Sequence, residues 1–196
     1  MTTYRTLYAD PPWQLKGGTS GLSGWSKSAS PDAHYALLST DQIASLPVQS
    51  LVADDACLFL WVVNGLLPDG LHVMRSWGFR YVNNLCWRKT TGYGIGQYIR
   101  GEHELCLFGV KGRPGYQLDA QGKRNQVRSV VDAPRGKHSA KPEEMRRRIE
   151  KISGGPYVEL FARHPAAGWD VWGNEVNSTV SLAVPQRGDE HGIQGI

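Results

Sequence analysis

The sequence predicts an α/β fold with a mostly parallel sheet, on three observations. Short apolar runs of strand length alternate with segments of helical periodicity. The run Cys57–Val63 (CLFLWVV) is apolar at every position, as in a strand buried on both faces. Glycine and proline separate these segments, and no repeat or internal linker interrupts them.

The elements follow in order. Residues 3–9 form a short strand that ends at Asp10-Pro11-Pro12-Trp13. Residues 14–33, rich in Gly and Ser, form a mobile loop. Thr40 or Asp41 caps a short helix running to Leu46. After the strand Cys57–Val63, residues 66–77 are helical and Gly78 stops them. Residues 81–88 and 105–110 are strands, joined by the Gly-rich loop 90–101 (TTGYGIGQYIRG). Residues 111–126 are polar and basic, and a short strand follows over 127–131. Lys141 begins a helix that runs to Ile152, with Pro142 in its first turn and Gly154-Gly155 beyond its end. Residues 157–162 (YVELFA) and 169–172 are strands. Residues 1–176 form a single domain, and 177–196 form a weakly structured tail. In such a sheet a ligand sits beyond the carboxyl ends of the strands. That rule puts Asp10, Arg163 and the loop after Arg88 at one rim.

Composition narrows the function classes. With 40% hydrophobic and 20% charged residues, the chain reads as a globular protein. Its longest apolar run is too short to cross a bilayer, and its first residues lack an apolar signal region. A cytoplasmic address without a membrane partner is expected. The three cysteines, Cys57, Cys86 and Cys106, lie in strand-like runs and are expected to be reduced core residues. No Cys/His spacing suits a metal, and the zinc deaminase signature is absent. Charge is uneven. Residues 80–151 hold 16 Lys/Arg and 7 Asp/Glu, a local +9 that leaves −5 for the rest of a chain with net charge +4. A basic field of that size suits a polyanion.

Asp10-Pro11-Pro12-Trp13 carries the chemistry. The lone pair of an aromatic amine is delocalised into its ring, which makes it a poor nucleophile. Acceptors on its N–H groups pull the amine toward a tetrahedral shape and localise the lone pair. Asp10 supplies a carboxylate, Pro11 a backbone carbonyl, and the two prolines stiffen the turn. Trp13 offers a flat face for a base. Positive charge develops on the amine as a methyl group arrives, and Asp10 favours it. Acceptance of the released proton by Asp10 is a further role.

An Asp-Pro-Pro-aromatic turn resembles motif IV of amino-methyltransferases, which act on adenine N6, cytosine N4 or glutamine amides. Further segments narrow the resemblance. They are Leu58-Phe59-Leu60-Trp61, Trp77-Gly78-Phe79, His138-Ser139-Ala140-Lys141-Pro142, Glu159-Leu160-Phe161-Ala162-Arg163 and the stretch 168–175 (GWDVWGNE). Together they resemble the family of the seventy-kilodalton catalytic subunit of mRNA N6-adenosine methyltransferase, over about residues 3–176. The short chain resembles that family's bacterial and phage branch, which is associated with DNA adenine methylation. The resemblance implies a Rossmann-like methyltransferase dependent on S-adenosyl-L-methionine (SAM). It also implies a permuted motif order, with the catalytic turn N-terminal and the cofactor-binding half C-terminal. The nine residues before Asp10 are too few for a cofactor half, which agrees.

The cofactor candidates are accordingly Asp10, Lys141, Arg163, His164, Asn174 and Glu175. Asn174 and Glu175 can hydrogen-bond ribose hydroxyls or an adenine edge, and Arg163 can donate to a hydroxyl. Lys141 can meet the methionine carboxylate, helped by the helix N-terminus. His138 and Ser139 orient the cofactor or cap the following helix. Glutamine is frequent in the family where Glu175 stands. The change keeps an acceptor and adds a negative charge near the sulfonium.

Substrate candidates are Glu104, Arg88, Lys89, Tyr93, Tyr98 and Arg100. Glu104 matches an acidic position near the substrate end in the resembled family. The adenine must be flipped or unpaired to reach the methyl group. Loops 17–30 and 90–101 can close on it, with Trp25, Tyr93 and Tyr98 as stacking faces. Arg88, Lys89, Arg100, Lys111, Arg113, Lys123 and Arg124 can meet phosphates. The nucleic acid partner is expected to be DNA rather than RNA. The same chemistry on RNA, a non-catalytic nucleic-acid-binding subunit and a cytosine-N4 enzyme are the alternatives. A second copy or a related subunit is the protein partner to consider.

Overall fold

The computed structural model describes residues 2–14, 37–92, 98–136 and 140–182. Loop 17–30, Trp25, Tyr93, His138 and Ser139 lie outside the described residues, as does the chain after 182. The strands are β1 (Tyr4–Ala9), β2 (Val52–Val62), β3 (Arg80–Lys89), β4 (His103–Lys111), β5 (Val130–Ala133), β6 (Tyr157–Leu160) and β7 (Trp169–Trp172). The helices are α1 (Thr40–Ala44), α2 (Leu67–Ser76) and α3 (Glu143–Ile152), with short 3-10 turns at Val48–Ser50 and Asn64–Leu66.

The strands form a seven-stranded sheet in the order β5-β3-β4-β2-β1-β6-β7. β1 pairs in parallel with β2 and β6, β3 with β5, and β6 with β7. β4 is antiparallel to both β2 and β3. The α/β, mostly parallel sheet expected from the sequence is present. One rim therefore collects the carboxyl ends of β1, β2, β3, β5, β6 and β7 together with the start of β4.

Both faces of the sheet are covered, which explains the unbroken apolar run in β2. Side chains alternate across a strand. Leu58, Leu60 and Val62 pack on one face with Leu7, Ala9, Val73, Met74 and Trp77, under α1 and α2. Cys57, Phe59 and Trp61 pack on the other with Tyr8, Trp87, Cys106, Met145, Ile149 and Trp169, under α3. The indole of Trp77 at the end of α2 donates to the carbonyl of Ile43 at 3.0 Å and locks α2 to α1. Cys57 and Cys106 are buried, Cys86 is half-buried, and all three are free thiols. No described helix is long and apolar enough to cross a membrane, and no metal-binding cluster occurs among the described residues.

Several boundaries differ from expectation. α1 is capped by Ser39 rather than by Thr40 or Asp41. Its hydroxyl accepts from the Gln42 amide while the Gln42 side chain accepts from the Ser39 amide, a reciprocal capping box. Pro142 is the N-cap of α3, so Lys141 stands just outside the helix. β5 begins at Val130, later than expected. Residues 178–182, the described part of the expected tail, pack on the domain. The Thr179 amide donates to the Val171 carbonyl at 2.8 Å, and Leu182 is buried in the core.

Gly173, just after β7, lets that strand's end lie against Ala162. A Cβ there would stand 2.2 Å from the Ala162 carbonyl oxygen and 2.8 Å from its nitrogen. Neither backbone atom can yield cheaply. Gly173→Ala is therefore expected to cost about 1–3 kcal/mol, as overpacked sites do. Urea denaturation checks this through a lowered midpoint at an unchanged slope.

Candidate active site

The end of β1 brings Asp10 to the rim of strand carboxyl ends, and the next three residues fix how it is presented. The Trp13 amide donates to the Pro11 carbonyl at 2.9 Å, and the Leu38 amide donates to the Pro12 carbonyl at 2.9 Å. The Pro11 carbonyl is thus already engaged once, and its second lone pair is left for another donor. The Trp13 ring is not the open stacking face expected from the sequence. It is 8% exposed, belongs to the core, and its indole N–H donates to the Trp61 carbonyl at 3.0 Å. Trp13 therefore ties the turn to the end of β2.

A row of alternating charges crosses this rim. Lys141 Nζ lies 2.8 Å from Asp10 Oδ2 and 3.4 Å from Glu104 Oε2. Glu104 Oε1 lies 2.5 Å from Lys89 Nζ. Lys141 also stands over the Trp61 ring, 5.2 Å from its centroid, and the Trp61 indole donates to the Tyr8 hydroxyl at 2.7 Å. Burial works against the charge on Lys141, but Asp10 and Glu104 outweigh it and raise its pKa. Burial likewise works against the Glu104 carboxylate, and Lys141 and Lys89 more than compensate, so its pKa is lowered. Lys141 and Glu104 each favour the charged form of the other. Lys89 is consequently not placed as a substrate or phosphate ligand, because its side chain is 13% exposed and committed to Glu104.

Beside this row opens a cavity of about 390 Å³. Asp10, Lys141, Arg163, His164 and Glu175 all line it, so the fold gathers five residues that lie up to 165 positions apart. Asn174 is exposed and does not line the cavity. The wall also includes Tyr8, Glu143, Arg146, Glu159 and Phe161, to which the sequence reading gave no role. Glu159 was legible as an acidic residue within an apolar strand. Tyr157, Glu159 and Phe161 alternate with the buried Val158 and Leu160, so a period-2 reading sets it on the second face. Phe161 adopts φ 62°, a left-handed conformation that is uncommon for a bulky residue. It turns the chain between β6 and Arg163, and its ring meets Trp172 edge-on at 5.2 Å.

The remaining candidates divide between the two ends of the sheet. Arg88, at the carboxyl end of β3, makes a two-pronged ion pair with Asp132 at 2.7 and 2.8 Å. Tyr98 and Arg100 are exposed in the segment that leads into β4 at the same rim, and Tyr98 is 98% exposed. Lys111 and Arg113 sit at the opposite rim, because β4 runs against its neighbours. Lys111 is 3.9 Å from Asp54, and the Arg113 amide donates to Asp55. Lys123 and Arg124 belong to a turn at that far end. The turn is closed by Asp119, and Arg124 stacks on Tyr116 at 3.9 Å. The basic stretch of the sequence is thus not one patch around Asp10.

Acid should weaken the charged row. Glu104 has a lowered folded pKa, so its contribution to stability is present above the ordinary carboxyl value of 4.5 and is lost as pH falls through the folded value. The stability advantage of the native protein over Glu104→Gln should shrink as pH drops below about 4.5. Urea titrations of both proteins across that range measure it. An advantage independent of pH would exclude the ionised bridge.

Comparisons with known proteins accord with this geometry. The MT-A70 family model matches residues 4–175. The Type II methyltransferase M.MunI of Mycoplasma sp is 31% identical over 199 residues, covering 95% of this chain and 83% of that protein. An N(6)-adenosine-methyltransferase MT-A70-like protein of Arabidopsis thaliana is 31% identical, covering 90% of this chain. The human N(6)-adenosine-methyltransferase catalytic subunit METTL3 is 30% identical, covering 89% of this chain. The chain spans 24% and 28% of those two longer proteins. The chain belongs to the MT-A70 family of methyltransferases.

Proposed function

We propose that this chain is a SAM-dependent N6-adenine methyltransferase that acts on DNA. The observation that carries the reading is the placement of Asp10. Its carboxylate follows the end of a central strand, opens on the cavity and pairs with Lys141 at 2.8 Å.

The cavity's size and lining suit the cofactor. About 390 Å³ falls in the range of pockets for small organic ligands. Its carboxylates Asp10, Glu143, Glu159 and Glu175 suit a cation and hydroxyl donors, while Tyr8 and Phe161 provide apolar surface. Arg163, His164 and Glu175 are assigned to cofactor binding, with Asn174 beside Glu175 after β7. When bound, the cofactor supplies an electrophilic methyl group on a sulfonium.

The residues of the turn do the rest. Asp10 accepts one N–H of the adenine amine, and the Pro11 carbonyl accepts the other through its remaining lone pair. Both draw the amine toward a tetrahedral shape. The positive charge that grows on nitrogen is met by the Asp10 carboxylate. Lys141 keeps that carboxylate oriented until the amine arrives. Pro12 and Trp13 hold the turn in place through Leu38 and Trp61. Alignment of the two reactants supplies much of the rate. Arg88, Tyr98 and Arg100 surround the entry at the same rim and are assigned to the strand that carries the flipped or unpaired base.

DNA is preferred to RNA as substrate for one reason. The chain spans 83% of the Type II methyltransferase and about a quarter of the N(6)-adenosine-methyltransferases. The match to a bacterial Type II methyltransferase over most of that protein favours DNA, the polymer associated with that branch of the family. The same site would serve an adenine in RNA, and the kinship with METTL3 keeps that as the second reading.

Tritium transfer from labelled SAM to single-stranded DNA, duplex DNA and RNA, with nucleoside analysis of the product, tests the proposal. The native protein should yield N6-methyladenine, with DNA preferred. Asp10→Ala should lower transfer by about 10²–10³-fold, the loss typical when one group that stabilises developing charge is removed. Preferred methylation of RNA would transfer the reading to that polymer. Cofactor binding without transfer to any polymer would point to a missing partner or a different acceptor, and failure to bind SAM would support the non-catalytic subunit.

A further inference from the structure

The cavity wall carries a second charged cluster, separate from the Asp10–Lys141–Glu104–Lys89 row. Glu159 faces the cavity from β6, and Arg146 reaches it from α3. Arg146 Nη2 lies 2.5 Å from Glu159 Oε2, and its Nη1 lies 2.8 Å from each carboxylate oxygen of Glu143. The guanidinium stands 5.7 Å from the Trp169 ring centroid, and the Trp169 indole is held by Glu150 at 2.8 Å. Both partners are sequestered, with side chains 16% and 12% exposed.

We propose that Arg146 is a positioning residue that keeps Glu159 anionic in the cofactor cavity, so that affinity for a cationic cofactor depends on the Arg146–Glu159 pair. This rests on the reading of the cavity as the cofactor site.

Opposing influences act on Glu159. Burial is the largest influence on Glu159 and raises its pKa. Arg146 offsets part of that rise, and the negative charges of Asp10 and Glu143 add to it. The titratable groups around it are Tyr8 and Asp10 from β1 and its turn, Glu143 and Arg146 from α3, and Lys141 just before α3. Arg163 and His164 follow β6, and Glu175 follows β7. Arg146 is the cation in direct contact with it, and an arginine does not lose its proton in a protein. Without that contact, Glu159 is a desolvated carboxyl beside two carboxylates, and it takes a proton. A neutral carboxyl offers a sulfonium no compensating charge. Cofactor binding must then expel the proton, and affinity falls up to about tenfold for each pH unit below the shifted pKa.

Calorimetric titration with SAM from about pH 6 to pH 8.5 tests this, read as the ratio of variant to native affinity so that the ligand's own titration cancels. Arg146→Met should bind about tenfold more weakly at pH 7, recover toward native affinity as pH rises, and release more protons on binding. Arg146→Lys should keep most of the native profile. Glu159→Gln should bind weakly with a ratio that no longer recovers with pH. A loss in Arg146→Met that is equal at all pH values would mark a structural role and overturn the proposal. Unchanged affinity would do the same. Should Arg146→Met fail to fold, Glu159→Gln decides, and native-like binding by that variant at pH 7 overturns the proposal. Absence of SAM binding by the native protein would overturn the cofactor reading itself, and this inference with it.

Discussion

The Lys141 ammonium is shared between two carboxylates that arrive from opposite directions. Asp10 comes from the carboxyl end of β1 and Glu104 from the amino end of β4. They meet because β4 alone runs against the other strands of the sheet, which brings its start to the rim where its neighbours finish. A buried lysine between two acids is far more constrained than one facing solvent. Removing any member leaves an uncompensated charge out of water, at a cost of about 3–5 kcal/mol. The rim therefore has one arrangement of its charges, and Asp10 is delivered with its carboxylate held 2.8 Å from the Lys141 ammonium.

That delivery depends on packing as much as on charge. Lys141 lies over the Trp61 ring, Trp61 is bonded to Tyr8, and the backbone of Trp61 holds Trp13. The Asp-Pro-Pro-Trp turn is thus fastened to the end of β2 at its last residue, while its prolines restrict the backbone between. The same Trp61 is a core side chain on the α3 face of the sheet. The site is built on the sheet and not on a surface loop, which is the rigid support that precise alignment of two reactants needs.

The sheet was legible because both its faces are covered. β7 matches its expected limits and β1 differs by a residue, since short apolar runs bounded by Gly and Pro leave few choices. β2 extends further back than its apolar run because Val52–Asp55 is half polar at the far rim and carries no burial signal. The catalytic turn was legible for a simpler reason. Its four residues are consecutive, so their chemistry reads directly from the chain. The partners that tune it were not. Glu104 and Lys89 face each other from adjacent strands, and a charged pair 15 residues apart looks like two solvated surface groups until the register of β3 on β4 is known. Arg146 and Glu159 pose the same problem across a helix and a strand. The basic stretch misled in the opposite way. Contiguity in sequence suggested one patch, but β4 carries Lys111 and Arg113 a full strand length from His103.

Two charged clusters stand at one cavity, the first beside it and the second in its wall. Lys141 and Lys89 pair with Asp10 and Glu104 along the rim. Arg146 addresses Glu143 and Glu159 at the other wall, where burial alone would push a carboxyl toward its neutral form. Of the cavity's four acids, Asp10, Glu143 and Glu159 each have a cation in direct contact, and Glu175 is exposed to solvent. A pocket arranged this way can remain anionic while partly buried. An anionic pocket distinguishes a sulfonium, which carries a positive charge, from the neutral thioether left once the methyl group has gone. On the proposed reading of the cavity, loss of that charge weakens the attraction after transfer and not before it, so carboxylates that gather the cofactor would also favour departure of its product.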